Sequence, residues 1–165
     1  MRNVILIGMP GSGKSTFGRE AAARLARPFI DLDAFIEERE GRSIPSLFEE
    51  SEDCFRKAET AAAKALFKRD GLIIASGGGF VKREENRRLL RKGGVSIFID
   101  RAPEAIVSDV AIAGRPLLSE GAERVYALYK ERIDLYRKAA DARISNEGRE
   151  EEVLQALVRL IQSLS

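Results

Sequence analysis

Gly8-Met9-Pro10-Gly11-Ser12-Gly13-Lys14-Ser15 has the spacing of a loop that cradles a nucleoside triphosphate. Gly11 and Gly13 let the backbone turn tightly and aim N–H groups, with those of Ser12, Lys14, Ser15 and Thr16, at phosphate oxygens. A helix opening at Lys14 adds a partial positive charge. In this pattern Lys14 reaches the terminal phosphates and the Ser15 hydroxyl ligates Mg²⁺. Asp31 and Asp33 follow a second short apolar segment. At the carboxyl end of an extended strand they would share one face, where open α/β sheets bind ligands. One carboxylate would then hold the Mg²⁺ hydration shell and the other hydrogen-bond an acceptor hydroxyl. A helix cap would account for Asp33 alone.

Four further groups carry charge or backbone freedom. Arg56 and Glu59 lie three apart on one helix face, where an exposed ion pair is an equally good account. Ser76-Gly77-Gly78-Gly79 closes a strand, and consecutive glycines imply close approach of backbone to a ligand. Arg115-Pro116-Leu117-Leu118 follows Gly114, as a mobile lid carrying a cation would. Arg132 lies four residues before Tyr136, on what could also be a solvated helix face.

The rest of the composition narrows the chemistry. Among 165 residues there is no histidine, which removes Ser-His-Asp hydrolysis and His-ligated metals. Cys54 is the sole cysteine, so neither an intrachain disulfide nor a thiolate zinc site can form. A metal must take oxygen ligands, which points to Mg²⁺. A net charge of +2 makes no case for nucleic acid or an acidic membrane. The opening apolar run, Val4 to Ile7, is too short for a signal-peptide core or a membrane span. A cytoplasmic protein is expected.

The elements that must position these groups alternate. Apolar runs at 4–7, 28–31, 72–75, 95–99 and 142–145 read as strands. Helical patterns occupy 14–26, 34–40, 45–48, 51–67, 84–90, 103–110, 122–139 and 150–164, with a loop over 114–121. Alternation of this kind predicts an α/β P-loop NTPase, with helices on both faces of a parallel sheet. With neither repeat nor linker, residues 1–165 are expected to form one domain.

In order and spacing, the phosphate loop, Ile30-Asp31-Leu32-Asp33, Phe55-Arg56 with Glu59, Ser76-Gly77-Gly78-Gly79, Arg115-Pro116-Leu117-Leu118 and Arg132 with Leu135-Tyr136 resemble the shikimate kinase family over essentially the whole chain. The resemblance implies a nucleoside-monophosphate-kinase-like fold with a five-stranded parallel sheet and a mobile lid. It implies transfer of the ATP γ-phosphoryl group to the 3-hydroxyl of shikimate, in chorismate and aromatic amino-acid biosynthesis, by a monomer. Asp33, Arg56, the Gly77–Gly79 turn and Arg132 would bind shikimate, with both arginines on its carboxylate. Arg115 would swing toward the transferred phosphoryl group, and Asp31 and Ser76 would serve Mg²⁺ and its waters. Lys14, Asp33 and Arg115 form the implied catalytic set. A kinase for gluconate or a nucleoside monophosphate shares the phosphate loop but has no reason to combine Asp33, Arg56 and Arg132. A nucleotide-binding relative without activity has no reason to keep Lys14, Asp33 and Arg115.

The chain departs from the family pattern at Ser51, where glycine is usual, and at Glu151, where an adenine-packing proline is common. Residues 108–113 also lack the basic side chain that often lies over adenine, leaving Arg149 as the nearby cation. Loss of one cation–π contact costs about 0.5–2 kcal/mol. GTP, CTP and UTP should therefore support a measurable fraction of the ATP rate. Steady-state kinetics check this, and an ATP preference above about a hundredfold (~2.7 kcal/mol) contradicts it.

Overall fold

The computed structural model describes residues 1–112 and 119–165. Arg115 and the expected lid loop therefore lie outside the described residues, apart from the stretch 119–121. The strands are β1 (Asn3–Ile7), β2 (Phe29–Asp31), β3 (Ile73–Ala75), β4 (Gly94–Asp100) and β5 (Ala142–Ser145). They pair in parallel in the order β2-β3-β1-β4-β5. In register, Leu6 of β1 stands between Ala75 of β3 and Ile97 of β4. Each of β1, β3 and β4 is buried along its whole length, as an uninterrupted apolar run requires when both sheet faces are covered.

The strand period of two divides the core into two layers. Val4 and Leu6 face α1 (Lys14–Arg24) and α8 (Glu150–Leu164), packing with Phe17, Ala21, Val153, Leu157 and Ile161. Ile5 and Ile7 face the opposite layer, with Ile36, Phe55, Leu66, Phe80, Leu90, Phe98 and Tyr136. That layer is built from α2 (Leu32–Glu40), α3 (Ile44–Glu50), α4 (Glu52–Leu66), α5 (Glu84–Gly93), α6 (Pro103–Ile112) and α7 (Ser119–Ala139). Central β1 has neighbours reached by crossovers on opposite sides, and ligands bind at the strand ends of such a switch point.

Several boundaries differ from the sequence reading for identifiable reasons. Residues 119–121, read as loop, are the first turn of α7. α2 begins at Leu32 rather than 34, because the chain leaves β2 at Asp31. An unforeseen 3₁₀ turn, Phe80–Lys82, is held from a distance: Asn86 donates to the Phe80 carbonyl at 3.0 Å and accepts from the Thr60 hydroxyl at 2.7 Å. The usual glycine before Glu52 is replaced by Ser51 without strain, since Ser51 is extended and its hydroxyl accepts from the Cys54 N–H at 2.9 Å, capping α4. Among the described residues no helix is long and apolar enough to cross a membrane.

Leu157 is wholly buried between α8 and the sheet. Leu157→Ala should lower the unfolding free energy by about 2–5 kcal/mol. Urea denaturation followed by circular dichroism measures this as a lower midpoint with an unchanged slope.

Candidate functional site

β1 runs directly into the phosphate loop, and only glycine fits its first position. A Cβ on Gly8 would stand 2.5 Å from the Ile99 carbonyl oxygen, at a φ of +151°. Lys14 folds back over the loop and is 8% exposed, its Nζ donating to the carbonyls of Gly8 at 2.7 Å and Met9 at 2.8 Å. Burial lowers its pKa to about 8, against the opposing pull of Asp33 and Asp31. From outside the loop, Arg101 donates to the Gly11 carbonyl at 2.9 Å and Asn146 to the Ser12 carbonyl at 2.8 Å.

The two aspartates divide differently from the sequence expectation. β2 ends at Asp31, so Asp33 lies in the first turn of α2 and the shared extended face does not exist. Asp31, not Asp33, caps the helix, accepting from the Ala34 N–H at 3.2 Å. Its other oxygen accepts from the Ser15 hydroxyl at 2.8 Å. This adjacent pair of oxygen donors suits Mg²⁺, which keeps several waters and needs few protein ligands. Among the described residues no cluster of three acids offers an all-protein metal cage. The Ser76 hydroxyl points back to the Leu6 carbonyl, to which it donates at 2.8 Å. Asp33 is half-buried with Oδ1 lacking a partner, and desolvation and the nearby Asp31 raise its pKa.

Arg56, Glu59 and Arg132 are interior groups rather than solvated helix faces. The Arg56 side chain is 12% exposed and that of Glu59 1%, with Nη1 donating to Oε1 at 2.9 Å. Burial pushes the Glu59 carboxyl up, and Arg56 opposes the shift. Arg132 is also buried. Asp33 and Glu59 converge on Gly77: a Cβ there would meet Asp33 Oδ1 at 3.1 Å and Glu59 Oε2 at 3.4 Å. Gly78 packs against the phosphate loop, where its Cβ would stand 2.5 Å from Pro10 Cδ. Gly79 lies against the Arg56 guanidinium. Among the described residues, the buried side-chain polar atoms without partners are Ser12 Oγ, Asp33 Oδ1, Arg56 Nε, Glu59 Oε2 and Arg132 Nε. Buried polar atoms are nearly always satisfied, so this set marks where a polar, anionic ligand would complete the structure.

Beside the loop lies a cleft of about 730 Å³, reaching from Gly11, Gly13, Lys14, Ser15 and Thr16 to Arg101, Asp109 and Asn146. Arg149 precedes α8 and is absent from its lining. Glu151 turns away to pair with Arg24 at 2.7 Å. Sequence reasoning missed Arg101 and Asn146. Each stands just past a strand's carboxyl end, and that position was the available signal. Arg101 pairs with Asp109 at 2.6 Å, so this cleft holds a guanidinium that residues 108–113 do not supply.

A phosphate loop at the end of the central strand of this five-stranded parallel sheet defines a P-loop kinase of the nucleoside-monophosphate-kinase-like fold. A profile of the shikimate kinase family matches residues 10–162. The chain is 46% identical over 162 residues to a shikimate kinase of Clostridium botulinum, covering 98% of each. The structure of a shikimate kinase from Acinetobacter baumannii in complex with shikimate superposes with a TM-score of 0.88 at 34% identity, covering 99% of this chain and 94% of that one. A gluconokinase from Sinorhizobium meliloti, covering 98% of this chain and 94% of that one, reaches 0.63 at 20% identity, a likeness of fold alone. The chain belongs to the shikimate kinase family and is an ATP-dependent kinase.

The buried Arg56–Glu59 pair yields a stability test that needs no ligand. Removing one partner strands the other, at a cost of about 3–5 kcal/mol. Glu59→Ala should show a loss of that size in urea denaturation. The double variant Arg56→Leu/Glu59→Leu should lose less, and a larger loss in the double variant would contradict this account of the pair.

Proposed function

We propose that the chain, acting as one domain over residues 1–165 and as a cytoplasmic monomer, phosphorylates the 3-hydroxyl of shikimate with ATP. The products are shikimate 3-phosphate, an intermediate on a route to chorismate and the aromatic amino acids, and ADP; nucleic acid and membranes play no part. The observation that carries this reading is that Asp33 and Arg56 lie against a glycine turn packed on the phosphate loop, with Arg132 buried one helical turn before Tyr136, whose hydroxyl bonds the same glycine turn. Two buried guanidiniums suit one planar carboxylate better than ammonium groups would. An adjacent carboxylate with a free acceptor oxygen suits ring hydroxyls.

In this mechanism the backbone N–H groups of the phosphate loop hold the β- and γ-phosphates. Lys14 exchanges the Gly8 and Met9 carbonyls for phosphate oxygens, whose charge keeps it protonated. Asp33 orients the 3-hydroxyl and accepts its proton as the acceptor oxygen bonds to the γ-phosphorus and the bond to the β-phosphate oxygen breaks. A loose transition state asks for positioning rather than a strong base. Magnesium, held through the Ser15 hydroxyl and Asp31 with Ser76 near its waters, would neutralise the phosphates when bound. Arg115 is assigned to the transferred phosphoryl group on sequence grounds. Gly11, Ser12, Gly13 and Thr16 complete the ATP site, with Arg149 at its outer edge.

ADP release measured in parallel with shikimate, gluconate and AMP tests the reading. Shikimate-dependent release alone is expected; release with another acceptor only, or with none, would overturn it. Arg56→Lys should raise the KM for shikimate, because ammonium cannot copy a bidentate contact. A loss of about 1.5–3 kcal/mol is expected. An unchanged KM would remove Arg56 from the acceptor site.

A further inference from the structure

Tyr136 lies one helical turn after Arg132 on α7 and has no exposed surface. Its ring stacks on Phe98 of β4, with centroids 5.1 Å apart and planes at 22°. Its hydroxyl donates to the Gly78 carbonyl at 2.5 Å. Burial pushes the pKa of the phenol up, and the charge of the nearby Arg132 opposes the shift. One hydroxyl therefore bonds the glycine turn and lies near an arginine, both of which the functional reading assigns to shikimate.

We propose that Tyr136 is a positioning residue for the acceptor carboxylate, holding the peptide between Gly78 and Gly79 in the orientation that receives it. The inference rests on the shikimate reading above. Packing alone does not explain the hydroxyl, since phenylalanine would fill the same space and a buried hydroxyl is costly unless bonded. Its partner is the carbonyl of the one glycine wedged against Pro10 of the phosphate loop. Neither Gly78 nor Gly79 has a Cβ to limit rotation of the peptide between them. All peptides here are trans, so the Gly78 C=O and the Gly79 N–H point in opposite directions. A bond that holds the carbonyl toward α7 aims that N–H away from α7. Tyr136 thereby sets the glycine turn, the Arg132 guanidinium and the Pro10 contact in one frame.

Tyr136→Phe keeps the ring stack and removes only the bond. In the intact enzyme, the KM for shikimate should rise by about 3- to 10-fold, the worth of one hydrogen bond. The KM for ATP should stay close to wild type, while the melting temperature falls by a few degrees for the lost buried bond. The reduced alcohol of shikimate, with hydroxymethyl in place of carboxylate, serves as a competitive inhibitor. It should bind the variant and the wild type alike, because the group being positioned is the one that meets the carboxylate. A shikimate KM within about twofold of wild type would overturn the proposal, that being less than the weakest hydrogen bond is worth. Equal weakening of both ligands would also overturn it, by making Tyr136 a general support of the site. Wild-type protein without shikimate-dependent ADP release would overturn the functional reading first and this inference with it.

Discussion

The contact between Pro10 and Gly78 governs the arrangement of the whole site. The phosphate loop leaves β1 and the glycine turn leaves β3, and these strands are parallel neighbours about 4.8 Å apart. Both turns therefore emerge at one edge of the sheet. Whether they touch depends on one missing atom, the Cβ that Gly78 lacks. Phosphoryl transfer needs reacting atoms held near 3–3.5 Å with little freedom. A side chain at position 78 would drive the two turns apart by a distance comparable with that tolerance. The sheet supplies coarse alignment, and the absence of a side chain supplies the remainder.

Charge is the second constraint. Lys14, Glu59 and Arg132 are buried, Arg56 is nearly so, and Asp31 and Asp33 lie beside them. Charges withdrawn from water are tolerated only when paired and hydrogen-bonded. Here the pairing is incomplete on both sides: Lys14 is held by carbonyls, and Asp33, Glu59, Arg56 and Arg132 each keep an idle polar atom. Opposite shifts follow, with Lys14 pulled down and Asp33 and Glu59 pushed up. The pattern is the one that the proposed ligands would complement, a phosphate on one side and a carboxylate with hydroxyls on the other.

Legibility in the sequence follows the range of the forces involved. The phosphate loop is a local device, with glycines, lysine and serine within eight residues, and it stood out unaided. The alternating strands and helices were equally plain, since periodicity is local too. From the residues alone an exposed ion pair competed as the account of Arg56 and Glu59, because nothing near them in the chain shows that α2 and α3 cover their helix. The aspartates were misplaced by a single step of chain geometry, the strand ending at Asp31. Arg101 was invisible as a site residue because its partner, Gly11, lies 90 residues away. The 3₁₀ turn at Phe80 was missed for the same reason, being held by a buried hydrogen-bond chain from Thr60 through Asn86.

The bond from Asn146 to the Ser12 carbonyl spans 134 residues. It ties a loop made early in synthesis to a turn made near its end. Chains grow at roughly 5–20 residues per second, so the phosphate loop waits roughly 7–27 seconds for this partner. Early in that interval the sheet lacks β4 and β5, and the loop lacks both Arg101 and Asn146; β4 and Arg101 arrive first, β5 and Asn146 last. A nascent chain would thus carry the complete phosphate-binding sequence without its finished shape. Completion of the phosphate loop is thereby coupled to β5 taking its place at the sheet edge.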